Sequence, residues 1–103
     1  MKIYEVVLTK RAFADADEAF IWLFNEEPDA ALKWYEELLV AFRSLAHSPR
    51  RWGLAREDPF FDEEIRQLVY GRYRVLFTVK NTRVFVLRVR HGSRETLSPK
   101  DQE

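Results

Sequence analysis

The residues best suited to chemistry lie in the stretch 65–94, which carries eight cationic side chains and no carboxylate. The cations are Arg66, Arg72, Arg74, Lys80, Arg83, Arg88, Arg90 and Arg94. Each guanidinium presents a planar fork of donors and stays charged at neutral pH, so rows of arginine are suited to holding phosphates or carboxylates. His91 is the only side chain of this stretch that titrates near neutrality. The stretch therefore predicts an anion-binding surface.

Three β-strands must position these cations, and we predict them at 65–70, 73–80 and 83–91, with tight turns at Gly71-Arg72 and Asn81-Thr82. Side chains alternate between the two faces of a strand. The set predicted to face the helices is Tyr73, Val75, Phe77, Val79, Phe85, Leu87 and Val89. Arg74, Arg88 and Arg90 would then share an open face that the helices leave uncovered, joined by Arg66 if its strand has the same parity.

The upstream half of the chain predicts one strand followed by a helical hairpin. A strand is expected from Ile3 to Leu8, with Thr9 as a cap for a helix over 12–24 whose apolar residues recur every three or four positions. Pro28 suits the first turn of a second helix, which should run to about residue 46. Residues 49–64 show no sustained periodicity and predict a long loop. The expected fold is α+β, with the order β-α-α-β-β-β and a curved antiparallel sheet backed by the hairpin.

Composition bounds the class of protein. The chain has 103 residues and no cysteine, which excludes disulfides and thiolate chemistry, and it is long enough for one domain. We expect that domain at 1–97, followed by a polar, frayed tail at 98–103. Residues 1–64 hold 8 Lys/Arg and 14 Asp/Glu, whereas residues 65–103 hold 9 and 3. A local cationic face is therefore expected rather than a positive field around the whole protein. The absence of cysteine fits a reducing cytosol, so a cytoplasmic location is expected as well.

Several local sequences together resemble the RelE/ParE toxin superfamily. They are Ile65-Arg66-Gln67-Leu68, the run from Gly71 to Phe77 containing Tyr73-Arg74, the apolar strand 84–89, and His91-Gly92-Ser93-Arg94. The Pro28-Asp29 start and the Ser48-Pro49 end of the second helix are also similar to that group. The resemblance spans about residues 3–95. It implies the growth-inhibiting toxin of a type II toxin–antitoxin module, of the kind associated with plasmid stabilisation, held inactive by a cognate antitoxin.

Members of the superfamily act in two ways, and the resemblance leaves both open. ParE-like members inhibit DNA gyrase without a known catalytic constellation, and RelE-like members cut messenger RNA on the ribosome. In the second case Arg74 and Arg94 match positions that stabilise phosphate charge, and Arg66 or His91 would assist. The tail 95–103 has no Tyr or His to handle a proton, and a neutral chain is less suited to a polyanionic ribosome. A third alternative is an inactive member that only binds its antitoxin.

The same residues also have structural interpretations. His91 could move a proton, or it could bond a backbone carbonyl at the end of its strand. Arg74 and Arg94 could pair internally with Asp62, Glu64 or Glu95. The sequence predicts no metal site and no cofactor, because its two histidines are far apart and it has only three glycines.

Partners are expected to meet two surfaces. Trp22, Phe24 and Tyr35 lie partly off the main apolar stripes of their helices. They either pack on the loop 49–61 or dock an antitoxin helix or a second copy of this chain. An acidic antitoxin segment could also cover Arg74, Arg88, Arg90 and Arg94. The expected assemblies are a homodimer or a toxin–antitoxin heterotetramer. DNA gyrase, or the ribosome with its message, is the expected target, and no membrane partner is expected.

Overall fold

Helices and strands follow one another in the predicted order in the computed structural model, which describes residues 2–94 and 96–99. They are β1 (Glu5–Leu8), α1 (Lys10–Glu26), α2 (Pro28–Ser44), β2 (Arg66–Tyr70), β3 (Tyr73–Lys80) and β4 (Arg83–His91). Two short 3₁₀ turns, Pro49–Arg51 and Asp58–Phe60, interrupt the long connection between α2 and β2. The predicted α+β fold class is confirmed.

Thr9 fixes the start of α1 and also attaches it to the sheet. Its Oγ1 accepts a hydrogen bond from the amide of Ala12, which is the side-chain cap that the sequence predicts. The same hydroxyl donates to the carbonyl of Val86 at 2.8 Å. At the other end of α1, only Glu27 separates the helix from Pro28, the first residue of α2. The two helices therefore form a tight hairpin, and Thr9 attaches the start of that hairpin to β4.

The sheet has the strand order β1-β4-β3-β2. β2, β3 and β4 pair antiparallel, as predicted, with left-handed φ angles of 56° at Gly71 and Asn81 in their turns. β1 instead runs parallel to β4, pairing Glu5 with Arg83 and Leu8 with Val86. The sheet, predicted as antiparallel, is thus mixed. After β1 the chain passes through both helices to β2 at the opposite edge of the sheet, then through β3, and β4 finally lies beside β1.

A β-bulge in β4 changes which residues face the helices. Arg88 lies opposite Leu76 whereas Val86 lies opposite Phe77, so Leu87 is an extra residue on β4. Val86 and, beyond the bulge, Val89 therefore both pack in the core beneath the helices. The prediction that Phe85 and Leu87 face the helices was wrong, because Val84 and Val86 occupy that core and Leu87 packs on the opposite side. One inserted residue shifts the alternation of every residue beyond it, so the two sides of the bulge follow opposite parities.

The opposite face of the sheet is covered, so the predicted open face was wrong. Leu76 is fully buried there with Ala55, Ile65 and Leu97, in a second apolar cluster formed by the α2–β2 connection and the segment after β4. The connection is held along β2 by the amide of Gln67, which donates to the carbonyl of Gly53 at 3.1 Å. The predicted long loop thus forms a third layer over the strands.

None of the described helices is long and apolar enough to cross a membrane. The predicted polar tail falls mostly outside the described residues, which end at Pro99. Leu97, at the predicted domain boundary, is 1% exposed and belongs to the second core.

Candidate functional site

Arg74, the predicted catalytic and anion-binding arginine of β3, is buried in an ion pair inside the protein. Its exposed fraction is 7%, and Glu57 facing it is 0% exposed. Nη1 donates to Oε1 of Glu57 and Nη2 donates to Oε2, both at 2.8 Å, which is the bidentate geometry of a strong guanidinium–carboxylate pair. Nη1 also donates to the side-chain oxygen of Gln67 at 3.1 Å. The anion that Arg74 holds is therefore part of the chain itself.

Glu57 also secures the segment after β4. The amide of Leu97 donates to Oε2 of Glu57 at 3.0 Å, so one carboxylate joins the α2–β2 connection, β3 and that segment. Burial by itself raises the pKa of Glu57, but the hydrogen bonds from Arg74 and Leu97 and the positive charge of Arg74 outweigh it, and the pKa is lowered. The carboxylate is therefore charged at neutral pH. Sequence reasoning named Asp62, Glu64 and Glu95 as internal partners of the arginines and missed Glu57; Glu95 lies outside the described residues.

Arg88 is likewise paired, in this case with a residue of α1. Its Nε and Nη2 donate to the two carboxylate oxygens of Asp15 at 2.7 and 3.0 Å. Asp15 also accepts from the amide of Val89 at 2.9 Å, at a point where β4 has passed the end of β1. Asp15 thus satisfies both the charge of Arg88 and an edge amide of the sheet, which fixes α1 against β4.

Arg66 of β2 holds the loop rather than facing the other arginines. Its Nη1 donates to the carbonyls of Trp52 at 2.7 Å and Arg50 at 3.2 Å, and Nη2 forms an ion pair with Glu64 at 3.2 Å. The donors of this guanidinium are thus largely used by the connection that covers the sheet.

The two remaining arginines of the predicted site, Arg90 and Arg94, meet at a cavity of about 260 Å³ between α1 and the end of β4, here called the arginine cavity. Arg90, His91 and Arg94 line it together with Arg88, and Tyr73 and Trp22 provide aromatic walls. Arg94 is exposed, and its guanidinium forms no ion pair within residues 2–94 and 96–99. Burial, followed by the charges of Arg88 and Arg94, lowers the pKa of Arg90. Three positive charges, those of Arg88, Arg90 and Arg94, therefore lie close together here, and a bound anion would reduce their mutual repulsion.

His91 is fixed by its neighbours. Its ring meets that of Tyr73 edge-on, with centroids 5.3 Å apart. Nδ1 accepts from the amide of Ser93 at 3.1 Å and lies 2.7 Å from the Ser93 hydroxyl, so the partner is Ser93 rather than a carbonyl. Because Nδ1 accepts, the proton of the neutral ring is on Nε2.

The hairpin aromatics are mostly uncovered. Trp22 is 63% exposed and Phe24 is 43% exposed, so neither is buried against the loop. Tyr35 is half-buried and meets Phe20 edge-on at 5.4 Å. The neighbouring Ile21 is 59% exposed, which makes this end of the hairpin an apolar surface.

Within the described ranges, no three His, Asp or Glu side chains come together as they would to hold a metal ion.

The fold and these residues can be compared with known proteins. The family model of the ParE toxin of the type II toxin–antitoxin system parDE matches residues 6–96, which is most of the chain. The chain belongs to the ParE toxin family. A solved structure of the chromosomal ParDE toxin–antitoxin system from P. aeruginosa has a similar fold, with a TM-score of 0.72 and 21% identity, covering 86% of this chain and 96% of that chain. Comparison with curated proteins gives no significant sequence match.

In this ParE-family chain the predicted site residues divide into two groups. Arg88, Arg90, His91 and Arg94 come together at the cavity, and Trp22 joins them from α1. Arg74 and Arg66 do not line that cavity, because each is bonded to the α2–β2 connection. Sequence reasoning missed Asp15, whose spacing from Arg88 gives no signal of their contact, and Tyr73, which it assigned only to the core.

Proposed function

We propose that this chain is the toxin of a type II toxin–antitoxin module and that it inhibits DNA gyrase by binding, without cutting RNA itself. The toxin family follows from the match over residues 6–96, and the choice of mechanism is supported by one observation. Arg74, the residue that a RelE-like ribonuclease would direct at a phosphate, is bonded through both terminal nitrogens to the buried Glu57. A guanidinium with its fork occupied by an internal carboxylate cannot stabilise a transition state until that pair opens.

The ribonuclease mechanism would also need a group to move protons beside the phosphate. His91 is the side chain whose type best suits this proton transfer, but it lines the arginine cavity, which Arg74 does not line. Its Nδ1 also accepts a hydrogen bond from the amide of Ser93. General acid–base catalysis requires the donor and the charge-stabilising groups to reach one reacting centre. Arg74 is not among the residues that line the cavity with His91 and Arg94, and this favours a binding toxin.

A cognate antitoxin is the second partner that we propose, docking on the apolar end of the hairpin at Trp22, Phe24 and Tyr35. Exposed aromatic side chains are typical of protein interfaces, and Trp and Tyr frequently dominate their binding energy. Phe24 and Tyr35 both contact the ring of Phe20, whereas Trp22 lies on another side of α1, at the arginine cavity. An antitoxin bound to the helical hairpin at Trp22 would also reach the rim of the arginine cavity, because Trp22 lines that cavity.

Expression without antitoxin tests the mechanism. A gyrase inhibitor should induce the DNA-damage response and yield linearised plasmid while messages stay intact. Cuts mapped in ribosome-bound messages, abolished by Arg94→Ala, would instead favour the ribonuclease. Normal growth at high protein levels would identify an inactive member that only binds its antitoxin. Lys80→Gln, which removes an exposed positive charge at the far end of β3, is the matched control for Arg94→Ala.

A further inference from the structure

The arginine cavity is a built polar site that the proposed gyrase inhibition does not explain. It lies between α1 and the end of β4, half open to solvent, and its lining combines three guanidiniums with the side chains of Asp15 and Glu18. Among the described residues of the lining, the three guanidiniums and the two carboxylates sum to one net positive charge. Arg94 brings that excess, since Asp15 is already bonded to Arg88 and Arg94 forms no ion pair within the described residues.

The charge of the lining indicates which anion fits. A carboxylate carries one negative charge, whereas a phosphate monoester carries about 1.5 to 2 at neutral pH. Glu18 and Asp15 lie on the α1 wall and would repel the additional charge of a phosphate. A single carboxylate instead matches the excess and can accept the paired donors of a guanidinium.

The size and the walls of the cavity indicate where that carboxylate comes from. A volume of about 260 Å³ is below the roughly 300 Å³ at which pockets begin to enclose drug-sized ligands, so a side-chain-sized group fits better than a nucleotide. Trp22 and Tyr73 line it beside the arginines. Trp, Tyr and Arg are the three residue types most enriched among the dominant contacts of protein–protein interfaces. The occupant should therefore belong to a protein.

We propose that this cavity binds one carboxylate of a partner protein, with Arg94 and Arg90 holding the carboxylate and Trp22 and Tyr73 packing against an adjoining apolar side chain. The carboxylate can come from an acidic side chain or from a chain terminus, since both present the same group. This proposal rests on the proposed function only in that the toxin meets protein partners. Its test uses the isolated full-length chain, so its failure is distinct from a failure to inhibit gyrase.

Four probes separate the sources by NMR of the Trp22 indole N–H and the Arg94 Nε–H. N-acetyl-phenylalanine offers a terminal carboxylate, and N-acetyl-phenylalanyl-aspartic acid α-amide offers a side-chain carboxylate. N-acetyl-phenylalanyl-asparagine amide offers neither, and inorganic phosphate offers the competing anion. Saturable shifts of both signals with either carboxylate probe are expected, and the probe that binds identifies the source. Equal binding of the asparagine analogue, tighter binding of phosphate, or no binding of either carboxylate would overturn the proposal.

Three substitutions sharpen the result. Arg94→Gln should weaken carboxylate binding at least about tenfold, because it removes charge-assisted hydrogen bonds. Lys80→Gln removes the same charge at the other end of β3, about 24 Å from Tyr73, and should change binding less than about twofold. Glu18→Gln should make phosphate bind measurably, because it removes a repelling charge. An Arg94→Gln protein that binds the carboxylate as tightly as Lys80→Gln does would contradict the proposal.

Discussion

Removing the charge of Glu57 should destabilise the protein more than any surface substitution. Glu57→Gln keeps the shape of the side chain but leaves Arg74, which is only 7% exposed, without its carboxylate. Both 2.8 Å bonds lose their ionic partner, and the amide of Leu97 loses a charged acceptor. Breaking a buried ion pair from one side costs about 3–5 kcal/mol. We expect the free energy of unfolding to fall by that amount.

Urea unfolding followed by circular dichroism measures this loss, since a domain of this size usually unfolds in one cooperative step. Glu64→Gln is the matched control, because its carboxylate also pairs with an arginine but is 63% exposed. Surface pairs of this kind contribute about 0–1 kcal/mol. Replacing the whole buried pair, with Glu57→Leu and Arg74→Met together, should recover most of the loss, because no buried charge is then left alone.

The same pair predicts a dependence on pH. The folded-state pKa of Glu57 lies below its ordinary value of 4.5. Its contribution to stability is therefore complete above pH 4.5 and is lost as the pH falls through the folded-state pKa. Below pH 4.5 the unsubstituted protein should lose stability more steeply than Glu57→Gln, and the two should converge. If Glu57→Gln and Glu64→Gln unfold at the same urea concentration at neutral pH, Arg74 is not held as described, and the reasoning against catalysis fails with it.

Three further perturbations have defined outcomes. Asp15→Asn should lower the free energy of unfolding by about 1.5–3 kcal/mol, measured by urea unfolding, because the partly buried Arg88 loses a charged partner. Trp22→Ser should weaken antitoxin binding at least about tenfold by calorimetry while leaving stability within about 0.5 kcal/mol, since the ring is mostly exposed. Burial, together with the charge and hydrogen bond of Glu37, raises the pKa of Tyr70 to about 12. An ultraviolet titration should therefore show one phenol ionising at about pH 12. The contribution of this phenol to stability should be complete below pH 10 and lost as the pH rises towards 12.

A different result would contradict each of these three predictions. An Asp15→Asn protein as stable as the unsubstituted one would mean that α1 is not fixed to β4 through this carboxylate. Unchanged antitoxin affinity in Trp22→Ser, with Val40→Ser as the exposed apolar control on α2, would place the antitoxin elsewhere. Glu37→Gln should lower the pKa of Tyr70, and a titration that does not change would exclude the contact between their side chains.

The strands and helices could be predicted largely because local patterns determine them. β3 and β4 have the predicted limits, since alternating side chains run between turns whose residues tolerate positive φ. α1 begins two residues earlier than predicted, at Lys10 directly after the Thr9 cap, because a capping hydroxyl starts the helix whether or not the first turn is apolar.

The faces of β4 could not be predicted, because the bulge at Leu87 depends on how β4 pairs with β3. Strict alternation is a local rule, and one extra residue inverts it for every residue beyond that point. The parallel pairing of β1 with β4 is likewise a tertiary contact between segments that are far apart in the sequence.

The candidate site was predictable in its residue types and not in its pairings. The cluster of Arg88, Arg90, His91 and Arg94 follows from the end of one strand and the turn after it, so sequence proximity brings these residues together. The partner of Arg74 lies in an aperiodic loop 17 positions away, where nothing distinguishes Glu57 from the acidic residues around it. Ion pairs formed by loops depend on the folded path of the chain, which local patterns do not encode.

The most direct test of the central claim is a gyrase assay with the purified full-length chain. If the toxin acts by binding gyrase while Arg74 stays paired with Glu57, it should cause gyrase-dependent DNA cleavage and should leave messages on translating ribosomes uncut. Unimpaired gyrase together with cleavage of those messages would contradict the account.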